Sequence, residues 1–154
     1  MILLSDESDT ARLARLLARR LPQGSVVLLS GPMGAGKTTL VRHLARALGF
    51  AGRVTSPTYT LMHTYPTAGG PLLHADVYRL PDPGALWDLG LEDALADARL
   101  SLIEWGTPEA FAADAQVALE PAGETARTLR LTALTPKLEP VLAEIERELR
   151  ARPD

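Results

Sequence analysis

Residues Ser30–Thr39 read SGPMGAGKTT, and this stretch decides the fold class of the chain. Within it, Gly31–Thr38 matches the pattern G-x-x-x-x-G-K-[ST], the phosphate-binding P-loop, without a mismatch. The preceding residues from Ser25, SVVLL, are mostly β-branched or apolar, as expected of a buried parallel strand. Apolar residues then recur at helical spacing from Leu40 to Leu48. A strand, a glycine-rich loop and a helix therefore follow one another in the order that the motif needs.

The residue types of this loop suit a polyphosphate. Backbone N–H groups bind phosphate oxygens, and glycines let the chain wrap closely around them. Lys37 supplies a point charge for the β- and γ-phosphates, and the Thr38 hydroxyl is suited to ligate Mg²⁺. A glycine-rich turn that binds nothing is the alternative, which the complete pattern in this context disfavours. The residues of the loop predicted to bind nucleotide are Gly31, Pro32, Met33, Gly34, Ala35, Gly36, Lys37, Thr38 and Thr39.

Composition limits the classes of function. A chain of 154 residues predicts a single domain over residues 1–154 with a sizeable core. The absence of cysteine excludes disulfide partners and thiolate metal sites. A net charge of −3 gives no basic footprint for holding nucleic acid alone. No apolar run has the length of a membrane span, and the N-terminus lacks the basic region of a signal peptide, so we expect a cytoplasmic location without membrane partners.

Periodicity along the rest of the chain alternates between helix and strand. A short strand is predicted near Met1–Leu4, and the segments 58–65 and 72–80 are predicted to pair as a β-hairpin across a Gly-Gly turn. Further strands are predicted over 100–104, 116–120 and 125–134. Helices are predicted over 8–21, in two short pieces within 84–98, over 108–113, and at the C-terminus from Leu138, with Thr135 as a possible cap and Pro140 in the first turn.

Three further groups are candidates for a nucleotide site. Glu104 ends an apolar strand downstream of the P-loop, where an acid can hold Mg²⁺ through water or orient the attacking water; a surface acid is the alternative. Asp76 is a hard oxygen ligand, although spacing alone fits an ordinary half-polar strand equally. The hydroxyl-rich Thr55–Thr58 occupies the place of a switch segment, on composition only. The sequence leaves two alternatives for Trp105: its ring stacks on a base or a partner protein, or it is buried in the core.

These segments together resemble the TsaE (YjeE) family, small P-loop ATPases of bacterial tRNA threonylcarbamoyladenosine synthesis. The resemblance runs from about Leu3 to Gly106. It consists of GxMGAGKTTL, VTSPTYTL, an H-x-D-x-Y-R block from His74, LGLED and LIEWG, in family-like order and spacing. The chain departs from the family at Pro32-Met33, where an acidic residue followed by Leu is usual. These are variable loop positions, so phosphate binding is not put in doubt.

The resemblance implies an α/β, P-loop NTPase-like three-layer fold with a largely parallel central sheet and antiparallel hairpin strands. It implies ATP and Mg²⁺ as cofactors, catalytic roles for Lys37 and Glu104, and a metal site of Thr38, Asp76 and Glu104. Ser56 and Thr58 would belong to a nucleotide-sensing switch. The family acts with the TsaD and TsaB proteins, which modify the adenosine next to the anticodon. The tRNA would be held mainly by those partners, and ATP hydrolysis would reset the complex between turnovers.

Two other classes remain open from the residues alone. A P-loop kinase for a small metabolite needs an arginine-rich lid, whereas Arg79, Arg99 and Arg127 are scattered along the sequence without an evident lid or arginine finger. The second class is a nucleotide-dependent switch that works by binding rather than by turnover. For such a switch, guanine recognition of the N-K-x-D type is excluded because the chain has no asparagine. The residues therefore favour ATP, or a base held without strong specificity.

Overall fold

The computed structural model describes residues 1–57, 62–77 and 90–151. Their strands form one seven-stranded sheet in the order β1-β7-β6-β2-β5-β4-β3. The strands are β1 (Ile2–Leu4), β2 (Ser25–Ser30), β3 (Met62–Tyr65), β4 (Leu72–Asp76), β5 (Leu100–Glu104), β6 (Ala115–Pro121) and β7 (Arg127–Ala133). The helices are α1 (Glu7–Arg20), α2 (Lys37–Ala47), α3 (Leu91–Asp97), α4 (Pro108–Phe111) and α5 (Glu139–Arg150), with a 3₁₀ turn over Pro136–Leu138.

The centre of the sheet is parallel and its margins are antiparallel. Strand β2 pairs in parallel with β5 on one side and β6 on the other, and β4 pairs in parallel with β5. At the margins, β3 runs antiparallel to β4, while β7 runs antiparallel to β6 and to β1. The predicted largely parallel sheet with hairpin strands is confirmed, including the hairpin that joins β3 to β4.

The alternating side chains of β2 build two cores, one on each face of the sheet. Val27 and Leu29 belong to the larger core, which α1, α2 and α5 cover. Leu28 belongs to the smaller core on the other face, with Leu91 of α3 and Phe111 of α4. A strand buried on both faces reads as a continuous apolar run, which is what SVVLL is. The three-layer prediction is therefore confirmed.

Helix α1 is fixed at both ends by polar side chains. Its N-terminus is capped by Asp6, whose carboxylate accepts from the backbone N–H groups of Ser8 and Asp9. At the other end, Arg99 reaches from the start of β5 and donates to the carbonyl oxygens of Ala18 and Leu21 at 3.1 and 2.9 Å. Arg99, one of the three arginines considered above for a lid, therefore has a structural role as a helix cap.

The segment before α5 differs from its prediction. A 3₁₀ turn precedes the helix, and Pro140 lies in the first helical turn, as predicted. Thr135 occupies the N-cap position of the 3₁₀ turn, but its side chain makes no capping hydrogen bond, and its Oγ1 is buried without a partner among the described residues. Because Pro140 has no N–H, this end has one backbone donor fewer to cap.

Some predictions fall outside the described residues. Strand β3 begins at Met62, so the predicted start of that strand at 58–61 lies outside them. The same holds for 78–80, the predicted end of β4, and for 84–89, the first of the two short helices. Among the helices that are described, none has the length and apolar character needed to cross a membrane.

Candidate nucleotide-binding site

The carboxyl ends of three neighbouring parallel strands bring the P-loop and two acids together. The register pairs Leu29 of β2 with Glu104 of β5, and Glu104 with Asp76 of β4. Each of these residues lies within one position of the end of its strand. In open α/β sheets, ligands bind in the crevice outside the carboxyl ends of the strands. The sheet therefore places both predicted acidic residues beside the loop that follows β2.

The P-loop has the backbone conformation that an anion site requires. Gly34 and Gly36 adopt φ angles of +83° and +96°, in the region that favours glycine. Gly36 is the N-cap of α2, and in the part of the chain that the structure describes no side-chain hydrogen bond caps that helix. The N–H groups of its first turn and the positive end of its dipole therefore face the loop and remain available to a phosphate.

Gly31 has a packing role in addition to the phosphate-binding role that the motif predicts. A Cβ at this position would lie 2.2 Å from the carbonyl oxygen of Leu119 on the neighbouring strand β6. Its φ angle of +143° also disfavours other residues. The first glycine of the motif is thus needed for close packing of the loop on β6.

A cleft of about 560 Å³ lies at these strand ends. The predicted residues that line it are Met33, Gly34, Gly36, Lys37, Thr38, Thr39, Ser56, Asp76 and Glu104. Gly31, Pro32 and Ala35 do not line it. Ala35 is fully buried, and its N–H donates to the Pro32 carbonyl at 3.1 Å, so these residues shape the turn. Thr58 lies outside the described residues.

Glu104 is the centre of a buried ionic network. Its Oε1 lies 2.9 Å from Lys37 Nζ, and its Oε2 accepts from Nε2 of His74 at 2.5 Å. Burial acts to raise the pKa of Glu104, but the hydrogen bonds and charges of His74 and Lys37 outweigh it, so that the pKa is lowered. Glu104 is therefore held as a carboxylate that faces the cleft.

His74 orients this carboxylate from inside the sheet. Its side chain is fully buried, and its Nδ1 has no hydrogen-bond partner in the described part of the chain. The hydrogen bond observed for its imidazole ring is therefore the one to Glu104. The sequence had placed His74 in a motif without giving it this role, because the contact joins residues 30 positions apart on adjacent strands.

Trp105 follows Glu104 in the chain and lies at the surface of the cleft. It adopts φ +66°, unusual for a bulky residue, and its side chain is 53% exposed. Lys37 Nζ lies 5.2 Å from the centre of its ring, within the range of a cation–π contact. The core alternative for Trp105 is therefore wrong: the ring lines the cleft and contacts the P-loop lysine.

The oxygen donors that line the cleft fit a magnesium ion that takes its remaining ligands from the phosphates of a nucleotide and from water. Thr38 offers a hydroxyl, and the carboxylates of Asp76 and Glu104 are the hard oxygen donors that Mg²⁺ prefers. Among the described residues, no group of three or more His, Asp and Glu side chains forms a metal cage. Magnesium in nucleotide sites typically has one or two carboxylates and takes further ligands from phosphates and water.

Ser56 brings the predicted switch segment to the cleft. Behind it, the Tyr65 hydroxyl donates to the Thr55 carbonyl at 3.2 Å and accepts from the Thr55 N–H at 3.3 Å. Tyr65 is itself buried and packs on Phe50, with ring centroids 5.0 Å apart. The exposed Ser56 therefore directly follows Thr55, whose backbone is hydrogen-bonded to Tyr65 of strand β3.

Arg127 also lines the cleft, a position that the sequence did not predict. It is the first residue of β7, about 90 residues after the P-loop, and its Nε lies 3.4 Å from where a Cβ on Gly36 would be. Only the pairing of β7 with β6 and of β6 with β2 brings it there. No local pattern in the sequence carries that information.

Comparison with known proteins shows which family the chain is similar to. The family model described as "Threonylcarbamoyl adenosine biosynthesis protein TsaE" matches residues 4–129, which includes both the P-loop and Arg127. The chain is 42% identical over 106 residues to the tRNA threonylcarbamoyladenosine biosynthesis protein TsaE of Rickettsia felis, covering 68% of this chain and 61% of that protein. It is 45% identical over 97 residues to the protein of that name from Streptomyces coelicolor, covering 61% of this chain and 65% of the relative.

A solved structure is similar over almost the whole fold. The crystal structure of Bacillus subtilis YdiB matches with a TM-score of 0.74 and 28% identity, covering 96% of this chain and 93% of that one. The alignments to the two sequence relatives extend over less than two thirds of their length. The family model, by contrast, matches most of the present chain, from β1 to the middle of β7. The chain belongs to the TsaE family of threonylcarbamoyl adenosine biosynthesis proteins.

Proposed function

We propose that this chain is the ATP-binding and ATP-hydrolysing component of tRNA threonylcarbamoyladenosine synthesis, acting with TsaD and TsaB proteins. The observation that carries the proposal is the contact between Lys37 of the P-loop and Glu104 at the end of β5. These are the two residues that ATP hydrolysis needs most, and they lie in one cleft. The names of the relatives supply the tRNA pathway.

The chemistry assigned to the cleft is phosphoryl transfer to water. The N–H groups of the loop and of the first turn of α2 bind the phosphates, and Lys37 stabilises charge on the β- and γ-phosphates. The carboxylate of Glu104 orients the attacking water and accepts its proton. Thr38 and Asp76 would hold Mg²⁺ directly or through water, and the ion would supply neutralising charge for the polyphosphate. Ser56, with Thr58, would respond to the γ-phosphate.

The contacts of Lys37 indicate how ATP changes the site. A polyphosphate in the loop competes with Glu104 and Trp105 for the ammonium group of Lys37. Transfer of Lys37 to the phosphates leaves Glu104 on His74 alone and frees its Oε1 for water. Slow hydrolysis by the isolated chain, stimulated by its partners, is the behaviour that we expect from this arrangement.

The net charge and the single sheet support a chain that hydrolyses ATP while its partners bind the tRNA. The net charge of −3 favours a protein that leaves the tRNA mainly to TsaD and TsaB. The sheet takes strands from Ile2 to Ala133, which supports a single ATPase domain over residues 1–154. Work on tRNA would place the chain in the cytoplasm.

Reconstitution of the modification tests the proposal. Purified TsaD, TsaB, substrate tRNA, ATP and magnesium are incubated with and without this chain, and modified adenosine is measured over several turnovers. We expect continued turnover only when the chain is present and can hydrolyse ATP. Equal modification without it would refute the pathway, and rapid phosphate transfer to a metabolite by the chain alone would favour a kinase.

A further inference from the structure

The hydroxyl group of Tyr65 holds the backbone of Thr55 at both of its polar groups. It donates to the Thr55 carbonyl oxygen at 3.2 Å and accepts from the Thr55 N–H at 3.3 Å. In an antiparallel sheet, a residue of a hydrogen-bonded pair likewise makes both of its bonds to one partner. Thr55 belongs to none of the described strands, so the Tyr65 side chain does for it what a neighbouring strand does within a sheet.

Tyr65 can hold this loop because its own ring is fixed. The residue is 7% exposed and belongs to the larger core. It ends strand β3, where it pairs with Leu72 of β4. Its ring packs on Phe50, which lies shortly after the end of helix α2, with the ring centroids 5.0 Å apart. The sheet and the core therefore set the position of the hydroxyl, and through it the position of Thr55.

A third hydrogen bond completes the contacts of this hydroxyl. His63 lies on the same face of β3, and its Nδ1 is 3.0 Å from the Tyr65 oxygen. The hydroxyl has one proton, which the Thr55 carbonyl accepts, so Nδ1 of His63 is the donor in the remaining contact. The hydroxyl then uses its proton and both of its lone pairs, and these bonds together favour a single orientation of the O–H group.

The residue that this arrangement positions is Ser56. It follows Thr55 directly and lines the same cleft as Thr38 and Asp76, to which we assign the metal. On its other side comes the buried Pro57, and a residue that precedes proline is restricted to extended backbone conformations. The backbone of Ser56 is thus constrained from both directions, by the tether on Thr55 and by the proline ring.

We propose that Tyr65 is a positioning residue for ATP hydrolysis, which holds the Ser56 hydroxyl at the γ-phosphate end of the bound nucleotide. This inference rests on the proposed ATPase activity and adds to it a residue that is not among the described residues lining the cleft. ADP has no γ-phosphate and is held by the P-loop and the first turn of α2. Its binding is therefore independent of the Tyr65 hydroxyl.

Tyr65→Phe tests the role of the hydroxyl, because it keeps the ring that packs on Phe50. We expect the rate of hydrolysis at saturating ATP to fall by roughly tenfold, since a small displacement of a positioned group is costly in the transition state. The affinity for ADP should stay within about twofold of wild type. The matched control is Thr64→Val, which removes a hydroxyl from the exposed face of the same strand and should behave as wild type.

The double variant with Ser56→Ala separates positioning from a general effect on the fold. If Tyr65 acts through Ser56, Tyr65→Phe should slow hydrolysis by less than about twofold once the Ser56 hydroxyl is absent. Equal slowing with and without that hydroxyl would overturn the inference, because it is what a merely structural role gives. Wild-type hydrolysis by Ser56→Ala alone would overturn it as well.

Hydrogen exchange of the Thr55 amide, measured by NMR without nucleotide, tests the contact itself. The Thr55 N–H should exchange roughly tenfold faster in Tyr65→Phe, whereas amides of the central strand β2 keep their wild-type rates. Unchanged exchange at Thr55, or unchanged hydrolysis in Tyr65→Phe, would refute this inference and leave the proposed function intact. A wild-type chain that does not hydrolyse ATP would refute both.

Discussion

Two ionic networks of similar composition occupy opposite environments in this molecule. At the strand ends, Lys37 and His74 hold Glu104, and the side chains of the Lys37–Glu104 pair are 12% and 6% exposed. On the outer surface, Arg20 of α1 holds Glu148 of α5, with side chains 39% and 20% exposed. Both networks join acids and bases that are distant in sequence. They differ in how much water each charge has lost.

This difference in burial separates the network at the candidate nucleotide site from the network on the surface. Exposed ion pairs contribute roughly 0–1 kcal/mol because water and salt screen them. Charges that are buried as a pair lose hydration worth several kcal/mol per ion, which their attraction often fails to recover. Folding alone therefore gives little reason to bury Lys37 with Glu104. Phosphate chemistry supplies a reason, since it needs a cation and a carboxylate that are already desolvated and oriented.

The largest effect is expected from Lys37→Ala. Removal of the ammonium group takes away the charge that stabilises the β- and γ-phosphates, so both ATP binding and hydrolysis should fall, with turnover lower by roughly 100-fold or more. Isothermal titration with ATP and phosphate release under single-turnover conditions measure the two quantities. The chain offers a matched control in Lys137, its only other lysine, which is exposed beside α5.

Lys137→Ala should leave both quantities unchanged. Equal losses in the two variants would mean that total charge rather than the buried position matters, which would break the comparison between the networks. Retained ATP binding in Lys37→Ala would instead show that the backbone of the loop is sufficient.

Glu104→Gln should separate binding from hydrolysis. The amide keeps the shape of the side chain but cannot accept a proton from water, so hydrolysis should fall by about 100-fold, or roughly 3 kcal/mol, with ATP affinity within a few-fold of wild type. Glu120→Gln is the control, because Glu120 lies near the end of β6 but is exposed and does not line the cleft. Wild-type turnover in Glu104→Gln would remove this carboxylate from the mechanism.

The parts of this site that local sequence predicted are those that one segment builds alone. The strand, loop and helix around Lys37 depend on the order of residues within a short window, and the P-loop pattern captures it. Glu104 was predicted at the end of a strand, and Asp76 was predicted within a strand over residues 72–80. The parallel strands of the sheet bring both acids to one carboxyl edge. The family resemblance then gave those positions their roles. The role of each residue in hydrolysis stays a prediction.

The parts that the sequence missed depend on strand order. Arg127 reaches the cleft only because β6 lies beside β2 and β7 beside β6. His74 meets Glu104 because β4 is the neighbour of β5. Periodicity shows which face of a strand is buried, but not which strand lies next to it. The reading of Trp105 stayed open for a related reason, since its exposure follows from the sharp backbone turn after β5.

The dependence of the unfolding free energy on pH should differ between the two networks in the acidic range. Burial opposes ionisation of Glu104, but His74 and Lys37 lower its pKa below the ordinary value of 4.5. A carboxyl with a lowered folded-state pKa stabilises the fold above the unfolded pKa and loses that contribution as pH falls through the folded one. The unfolding free energy of the wild type should therefore fall more steeply below about pH 4.5 than that of Glu104→Gln.

The exposed counterpart for this measurement is Glu144. Its pKa is also lowered, mainly by its hydrogen bond to Arg147, so the sign of the effect is the same. Because this pair is open to solvent, Glu144→Gln should change the slope less than Glu104→Gln does. Urea unfolding between pH 3 and 6, read by circular dichroism, compares the slopes. Equal slopes for the two variants would contradict the distinction between buried and exposed carboxylates.

The smallest effect is expected from the Arg20–Glu148 pair. Glu148→Ala should lower the unfolding free energy by less than about 1 kcal/mol, because water replaces much of what the ion pair provides. Urea unfolding of Arg20→Ala, Glu148→Ala and the double variant isolates the coupling between the two side chains. We expect a coupling of about 0.5 kcal/mol that decreases further at high salt. A coupling above roughly 2 kcal/mol would mean that this surface pair stabilises the fold strongly, and burial would then no longer distinguish the ionic network of the nucleotide site from one that serves folding alone.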